Sequence, residues 1–240
     1  MTCRFTFPRV GLSSEDAILA AASLCTATYG YVGFPVVEWD REIVSPSYRV
    51  CLKLMDGVWF AAHEGTVSAF QWLEDLDVIK EAVSGIGEVS QGMNAGLDEA
   101  YAGLSSVIGG APWVSTGHSR GAAQCTLTAA RGARAGHPPL FRIAFGEPLS
   151  TCDGASRFVD TVPSFSFCNA WKGNRDPIVS IAEDVLSAFD YTRVKQLTIL
   201  DAAPSEQNPW LDYPDDGALH WMPDYERNVR WLAGSEALRI

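Results

Sequence analysis

Positive charge is scarce in this 240-residue sequence: 18 lysines and arginines stand against 29 aspartates and glutamates, a formal net charge of −11. Phosphate backbones are held by basic faces, so the balance excludes a nucleic-acid partner from the expectations. No run of like charge makes a tail or a polybasic patch. Histidine is scarcer still, with only residues 63, 118, 137 and 220. The six cysteines (Cys3, Cys25, Cys51, Cys125, Cys152 and Cys168) lack metal-ligand spacing. His63-Glu64 and His118 are too few and too far apart to read as a ligand set, so no metal and no other cofactor is expected. The start of the chain lacks the charged, then apolar, then small-residue layout of a secretory leader, which leaves a cytoplasmic location as the default expectation.

The sequence also lacks repeats, low-complexity segments and any composition shift that would mark a linker. With 47% hydrophobic and 20% charged residues it reads as one domain over 1–240, long enough to bury a full core. The uncharged run from Ala17 to Val37 has the length of a membrane span. Its interruptions (Ser23, Thr26, Thr28, Gly30, Gly33, Pro35) and the want of flanking basic residues favour a buried helix running into a loop, so no transmembrane segment is expected. Cys25, Cys51, Cys125 and Cys168 lie in apolar segments, where a free thiol acts as a small hydrophobe. The even count permits disulfides, and a domain of this size does not require them.

What the sequence does hold is a series of alternating strand and helix patterns. Ser13-Ser14-Glu15-Asp16 fits a capping box, with a helix to about Thr28 and Gly30 as its stop. Tyr48, Val50, Leu52 and Leu54 alternate with Arg49, Cys51 and Lys53, as in a strand with one buried face. Asp56-Gly57 makes a two-residue hairpin turn into Val58–Ala62, a strand buried on both sides that runs into His63-Glu64-Gly65-Thr66. Residues 69–76 read as a short amphipathic helix or lid-like segment, and glycines 85, 87 and 92 loosen the next stretch of chain. Met93, Leu97, Ala100, Tyr101, Leu104 and Val107 share one helical face, which Gly109-Gly110 ends. Further strands are expected over Pro112–Thr116, Leu140–Phe145, Ser164–Cys168 and Gln196–Leu200, and a terminal helix from about Pro223. Such alternation calls for an α/β fold with a mostly parallel sheet and helices on both faces.

Between the Pro112–Thr116 strand and a small-residue helix (Gly121 to Ala135) stands Gly117-His118-Ser119-Arg120-Gly121. This is G-x-S-x-G, the nucleophile elbow. The serine sits on a strained strand-to-helix turn, and the glycines permit so tight a reversal. The free N–H groups and positive dipole end of the helix then face any anion that forms beside Ser119.

A serine hydroxyl needs a base to take its proton and an acid to orient that base. His118 neighbours Ser119 within the elbow, so its side chain is expected to be directed away. His137 closes the elbow helix in a Gly-His-Pro-Pro turn, and His63 precedes the serine at a strand end. His220 follows a late loop, which suits the order Ser, then Asp or Glu, then His. Asp176, Asp184, Asp190 and Asp201 are the acids in between, and order along the chain does not separate Asp176 from Asp201.

From about Tyr48 to Tyr225 the sequence resembles the class 3 lipases, the fungal lipase and feruloyl-esterase-like branch of the α/β-hydrolases. Gly117–Gly121 resembles that family's G-H-S-x-G. Gly65-Thr66, with Ser68, Trp72 and Asp75-Leu76, resembles its R-G-T/S…S…W…D-L segment. Phe145-Gly146-Glu147-Pro148 resembles F-G-x-P, Asn174-Arg175-Asp176-Pro177-Ile178-Val179 resembles the acid loop N-x-D-x-V-P, and His220 with Tyr225 resembles the terminal histidine segment. The resemblance implies an α/β-hydrolase fold and a triad of Ser119, Asp176 and His220. It also implies an oxyanion hole made by the backbone N–H and hydroxyl of Thr66 with the N–H of Arg120. It places the family's lid at 69–76, where Phe70, Trp72, Leu73 and Leu76 would cover the site or meet a lipid surface, the alternative being that they are ordinary core.

Three positions depart from the family pattern. Glu64 stands where arginine is usual, Arg120 replaces leucine, and Ala122 replaces the second glycine. The expected activity is cleavage of a small-molecule or lipid carboxylic ester through an acyl-enzyme on Ser119. Transfer of the acyl group to an alcohol or amine, or a non-catalytic hydrolase-like binding module, are the rival readings.

Overall fold

A computed structural model of the protein describes residues 12–34, 36–66, 79–193, 197–208 and 217–234. Helix α1 (Ser14–Thr28) opens where Ser13 Oγ accepts the Asp16 N–H, and the chain leaves it through Gly30 at φ 59°. Strands β1 (Arg41–Ser45), β2 (Tyr48–Met55) and β3 (Val58–His63) form an antiparallel meander. Its β2–β3 turn is Asp56-Gly57, with both residues at positive φ, as a tight two-residue hairpin requires. Next come β4 (Lys80–Val83), β5 (Gly87–Ser90), and helices α2 (Gln91–Asn94) and α3 (Leu97–Ile108). Strand β6 (Trp113–His118) leads into α4 (Arg120–Arg134), followed by β7 (Phe141–Phe145), β8 (Thr151–Cys152) and α5 (Asp153–Asp160). The chain continues through β9 (Ser164–Trp171), β10 (Asn174–Arg175), α6 (Pro177–Leu186), β11 (Tyr191–Thr192) and β12 (Leu197–Asp201). It closes with α7 (Met222–Gly234).

The main sheet runs β1-β2-β3-β6-β7-β9-β10, with β12 also on β9. Strands β3, β6, β7, β9 and β12 are mutually parallel along this path, so the site-bearing half is a parallel sheet, as the alternating pattern anticipates. Its two faces carry separate cores. Val58, Phe60, Val114, Phe141, Ile143 and Phe145 point to one side and meet α1 and α7. Ala61 and Trp113 point to the other and meet α3 and α4. Successive residues facing opposite cores is the period-2 signature of a strand buried on both faces. No helix among the described residues is long and apolar enough to cross a membrane. The described cysteines, 25, 51, 125, 152 and 168, are buried and unpaired.

Several expectations are corrected. The single helical face from Met93 to Val107 is split into α2 and α3, because Gly96 at φ 75° breaks the helix and caps the next one. The glycine-loosened stretch is a hairpin: Gly85 and Gly87 at positive φ turn β4 back onto β5, which joins β8 and β11 in a second, four-stranded sheet. Alternation in β2 fails at two places. Cys51 is fully buried, and Leu54, beside the hairpin turn, is 45% exposed. The lid-like segment 69–76 lies outside the described residues.

Candidate active site

Ser119 adopts φ 58° and ψ −130°, a conformation costly for any residue with a Cβ. The surroundings impose it. The Ser119 N–H donates to the Phe145 carbonyl at 3.0 Å, and the Ser119 carbonyl accepts from the Ala122 N–H at 2.9 Å. Glycine is obligatory around it for want of space. A Cβ on Gly117 would lie 2.1 Å from the Gly121 carbonyl oxygen, and one on Gly121 2.2 Å from the His63 carbonyl oxygen. One on Gly65 would lie 2.6 Å from the His118 carbonyl oxygen and 3.1 Å from Ser119 Cβ. The same packing brings the Gly65-Thr66 strand end against the elbow. Ala122, at the position of the family's second glycine, packs with Cys125 and Ala144 in a small buried cluster.

Asp176 stands at the N-cap of α6, where Pro177 occupies the first turn and Asp176 Oδ1 accepts the Ile178 N–H at 2.8 Å. Its own N–H is tied to the Asn169 carbonyl of β9 at 2.9 Å. His220 ends a 3₁₀ turn (Gly217–His220) just before α7, and its Nδ1 lies 2.6 Å from Asp176 Oδ2. Both side chains are buried. Tyr225, on the first turns of α7, donates its hydroxyl to the same Oδ2 at 2.5 Å; burial and then the adjacent Asp176 carboxylate raise its phenol well above the ordinary range. The four aspartates considered from the sequence are placed differently. Asp176 meets His220, whereas Asp184, Asp190 and Asp201 are exposed.

The Phe145-Gly146 peptide joins the two halves of this arrangement. Phe145 holds Ser119, and Gly146, at φ 57°, faces Asp176 and His220. A Cβ there would lie 2.9 Å from Asp176 Oδ2 and 3.0 Å from His220 Cε1. Ser119 Oγ and His220 Nε2 are both buried, and neither has a hydrogen-bond partner among the described residues. With Nδ1 committed to Asp176, Nε2 is the free ring position.

His118 sits beside His220. Its ring lies 4.5 Å from that of His220, tilted by 32°, and its Nδ1 meets the Tyr29 hydroxyl at 2.6 Å. Burial first, and then the neighbouring His220, hold its pKa well below the usual imidazole range. A neutral ring therefore backs His220. Local spacing in the elbow could not reveal this, because the contact depends on α1 and the last loop. His63 ends β3, fully buried, and burial pushes its imidazole down to about 3. The His137 carbonyl accepts from Trp113 Nε1 at 3.2 Å, remote from the elbow's serine end.

Thr66 Oγ1 is buried without a partner among the described residues. Arg120 is the first residue of α4, where backbone N–H groups lack intrahelical acceptors. The turn that carries His220 is held by buried amides that sequence reasoning missed. Asn169 Nδ2 donates to the Leu219 carbonyl at 3.0 Å and its Oδ1 accepts from Asn228 at 3.0 Å. Asn208 Nδ2 bonds the Ala218 carbonyl at 2.6 Å and Asp224 at 2.8 Å. Only Asn169, inside the otherwise apolar end of β9, carried a signal in the sequence; Asn208 lies in a polar loop and Asp224 and Asn228 in a charged helix.

Beneath the elbow lies a second missed group. Arg142, fully buried on β7, pairs with Glu147, bonds Thr126 Oγ1 through Nε at 2.9 Å, and bonds Ser166 Oγ through Nη1 at 2.9 Å. Glu147 also accepts from the Thr126 hydroxyl. The group ties α4, β7, β9 and the Gly146-Glu147-Pro148 turn together.

No protein-family model matches the chain, and no curated protein matches it in sequence. Solved structures do. The mono- and diacylglycerol lipase of Aspergillus oryzae shares 16% of residues over 82% of this chain and 83% of that one, with a TM-score of 0.63. The triacylglyceride lipase of Rhizomucor miehei shares 16% over 80% of this chain and 82% of that one, with a TM-score of 0.62. A triacylglycerol lipase whose catalytic centre is a serine protease triad shares 16% over 79% and 82%, also with a TM-score of 0.62. The chain has the α/β-hydrolase fold, in a form like that of the fungal triacylglycerol lipases.

Proposed function

We propose that the protein is a carboxylic ester hydrolase that works through an acyl-enzyme on Ser119. The observation that carries this reading is the buried Asp176–His220 contact, set one peptide away from a serine held at φ 58°. The fold likeness to lipases supports it, among them one whose catalytic centre is a serine protease triad.

In this reading Ser119 Oγ attacks the ester carbonyl while His220 Nε2 takes its proton. Asp176, accepting from Nδ1–H, fixes the tautomer that leaves Nε2 a base and balances the imidazolium that results. The Thr66 N–H and hydroxyl, with the Arg120 N–H, receive the tetrahedral oxyanion, and each such donor removes on the order of 3 kcal/mol of barrier. Collapse expels the alcohol, which takes the proton from His220 Nε2. Water, deprotonated by the same nitrogen, then cleaves the acyl-enzyme to the free acid and restores Ser119. Glycine at 65 and 146 serves this geometry, since a side chain at either would displace the elbow or the His220 ring.

The test is hydrolysis of short p-nitrophenyl esters by wild type and Ser119→Ala, with fluorophosphonate labelling of Ser119 in the folded protein. Labelling of the wild type and loss of turnover in the variant are expected. An unlabelled serine, or a variant cleaving at the wild-type rate, removes the reading. A panel from acetate to oleate then sets the acyl length and whether lipid esters are substrates.

A further inference from the structure

We propose that Arg120 forms an anion subsite beside the oxyanion hole, so that the preferred ester carries a carboxylate within one side chain's reach of its scissile carbonyl. The inference rests on the ester-hydrolase reading and narrows it to acidic esters.

A groove of about 230 Å³ runs from Thr66, just beyond β3, along the start of α4, with Tyr48, Arg49, Glu64, Thr66, Arg120 and Gln124 among its lining. Other charged and amide side chains lining it, Arg49, Glu64 and Gln124, are already engaged. Glu64 is bonded to Arg49 at 2.9 Å, and Arg49 also holds Glu42 at 2.9 Å. Gln124 donates to the Ser47 carbonyl at 3.3 Å. Arg120 has no carboxylate within ion-pair distance among the described residues. Among the described residues the one hydrogen bond of its guanidinium is a 3.5 Å contact from Nη2 to the Gly92 carbonyl. Burial lowers its pKa, the mark of a cation stripped of water without a compensating charge.

A guanidinium offers five N–H donors in a planar fork that matches a carboxylate's two oxygens. Here it is poorly used, partly desolvated and attached to the residue whose backbone N–H faces the developing oxyanion. Leucine at this position, as in the family the sequence resembles, would favour an apolar group; arginine in a chain of net charge −11 favours an anion.

The experiment compares kcat/KM within two matched pairs. Mono-p-nitrophenyl adipate is set against p-nitrophenyl hexanoate, which places the charge on the acyl side. 4-Acetoxybenzoate is set against its methyl ester, which places it on the alcohol side. In at least one pair the anionic-to-neutral ratio is expected to be about tenfold or more higher in wild type than in Arg120→Leu, with Arg120→Lys between them. Added salt is expected to shrink the wild-type ratio. The ratio is read within each variant, so changes in folded fraction or in the oxyanion hole cancel. A ratio unaltered by Arg120→Leu in both pairs overturns the subsite while leaving the hydrolase intact. Wild type inert toward all four esters removes the hydrolase reading instead. If Arg120→Leu yields no folded protein, the wild-type salt dependence decides, and a salt-independent ratio overturns the subsite.

Discussion

Tyr225 and His220 meet the same atom, Oδ2 of Asp176, one through a phenol and the other through an imidazole nitrogen. The carboxylate that meets His220 is itself held from α7, beyond the histidine's own loop.

Removing that phenol is the first test of the arrangement. Tyr225→Phe keeps the ring's contacts with Phe145 and His118 and deletes one hydrogen bond to Asp176. Bonds to charged groups contribute about 1.5–3 kcal/mol, so kcat is expected to fall roughly tenfold or more with KM little changed. An unchanged kcat in steady-state ester hydrolysis would show that His220 and Ile178 hold the carboxylate unaided.

Strain at Ser119 gives a prediction of opposite sign for stability. At φ 58° and ψ −130° a glycine is free of the Cβ conflict, so Ser119→Gly is expected to raise the unfolding free energy by about 1 kcal/mol. Its melting temperature should rise by about 2–4 °C while ester turnover is lost. Thermal unfolding followed by circular dichroism checks this, and a lower melting temperature would contradict a strained elbow.

The buried pair under the elbow is expected to behave non-additively. Glu147→Leu or Arg142→Met alone leaves the partner charged in the core and should cost about 3–5 kcal/mol in urea unfolding. The double variant should recover much of that loss, because no lone charge remains. Additive costs in the double-mutant cycle would mean that the pair is not coupled.

Acid sensitivity is expected from His63. Burial holds its folded-state pKa at about 3, against 6.5 as the ordinary value, so the unfolded chain binds the proton first. The stability this neutral ring allows is complete above pH 6.5 and is lost as pH falls from 6.5 toward 3. The slope reaches about 1.4 kcal/mol per pH unit for one such group. His63→Leu should remove one proton's worth of that slope in urea titrations from about pH 7 to about pH 4. His118, held low by burial in the same way, supplies a second share that remains. A slope identical in wild type and His63→Leu would show that His63 is protonated in the fold.

The features legible in the sequence alone are local, or ordered along the chain. The Ser13 cap, the Asp56-Gly57 turn, the strand before the elbow, the helix after it and the elbow itself come from patterns a few residues long, because capping, turn sterics and alternation are short-range effects. The resemblance added Asp176 as the acid; residue order had left it level with Asp201. Three-dimensional packing supplied the rest. It buried Asp176 against His220 and left Asp201 in solvent at the end of β12. It set His118 beside His220 and against Tyr29 at the end of α1, and it gathered Arg142, Glu147, Thr126 and Ser166 from separate elements into one polar group. Each of these depends on which strands lie side by side. That is set by packing the two faces of the sheet at once, and no short stretch of the chain carries it.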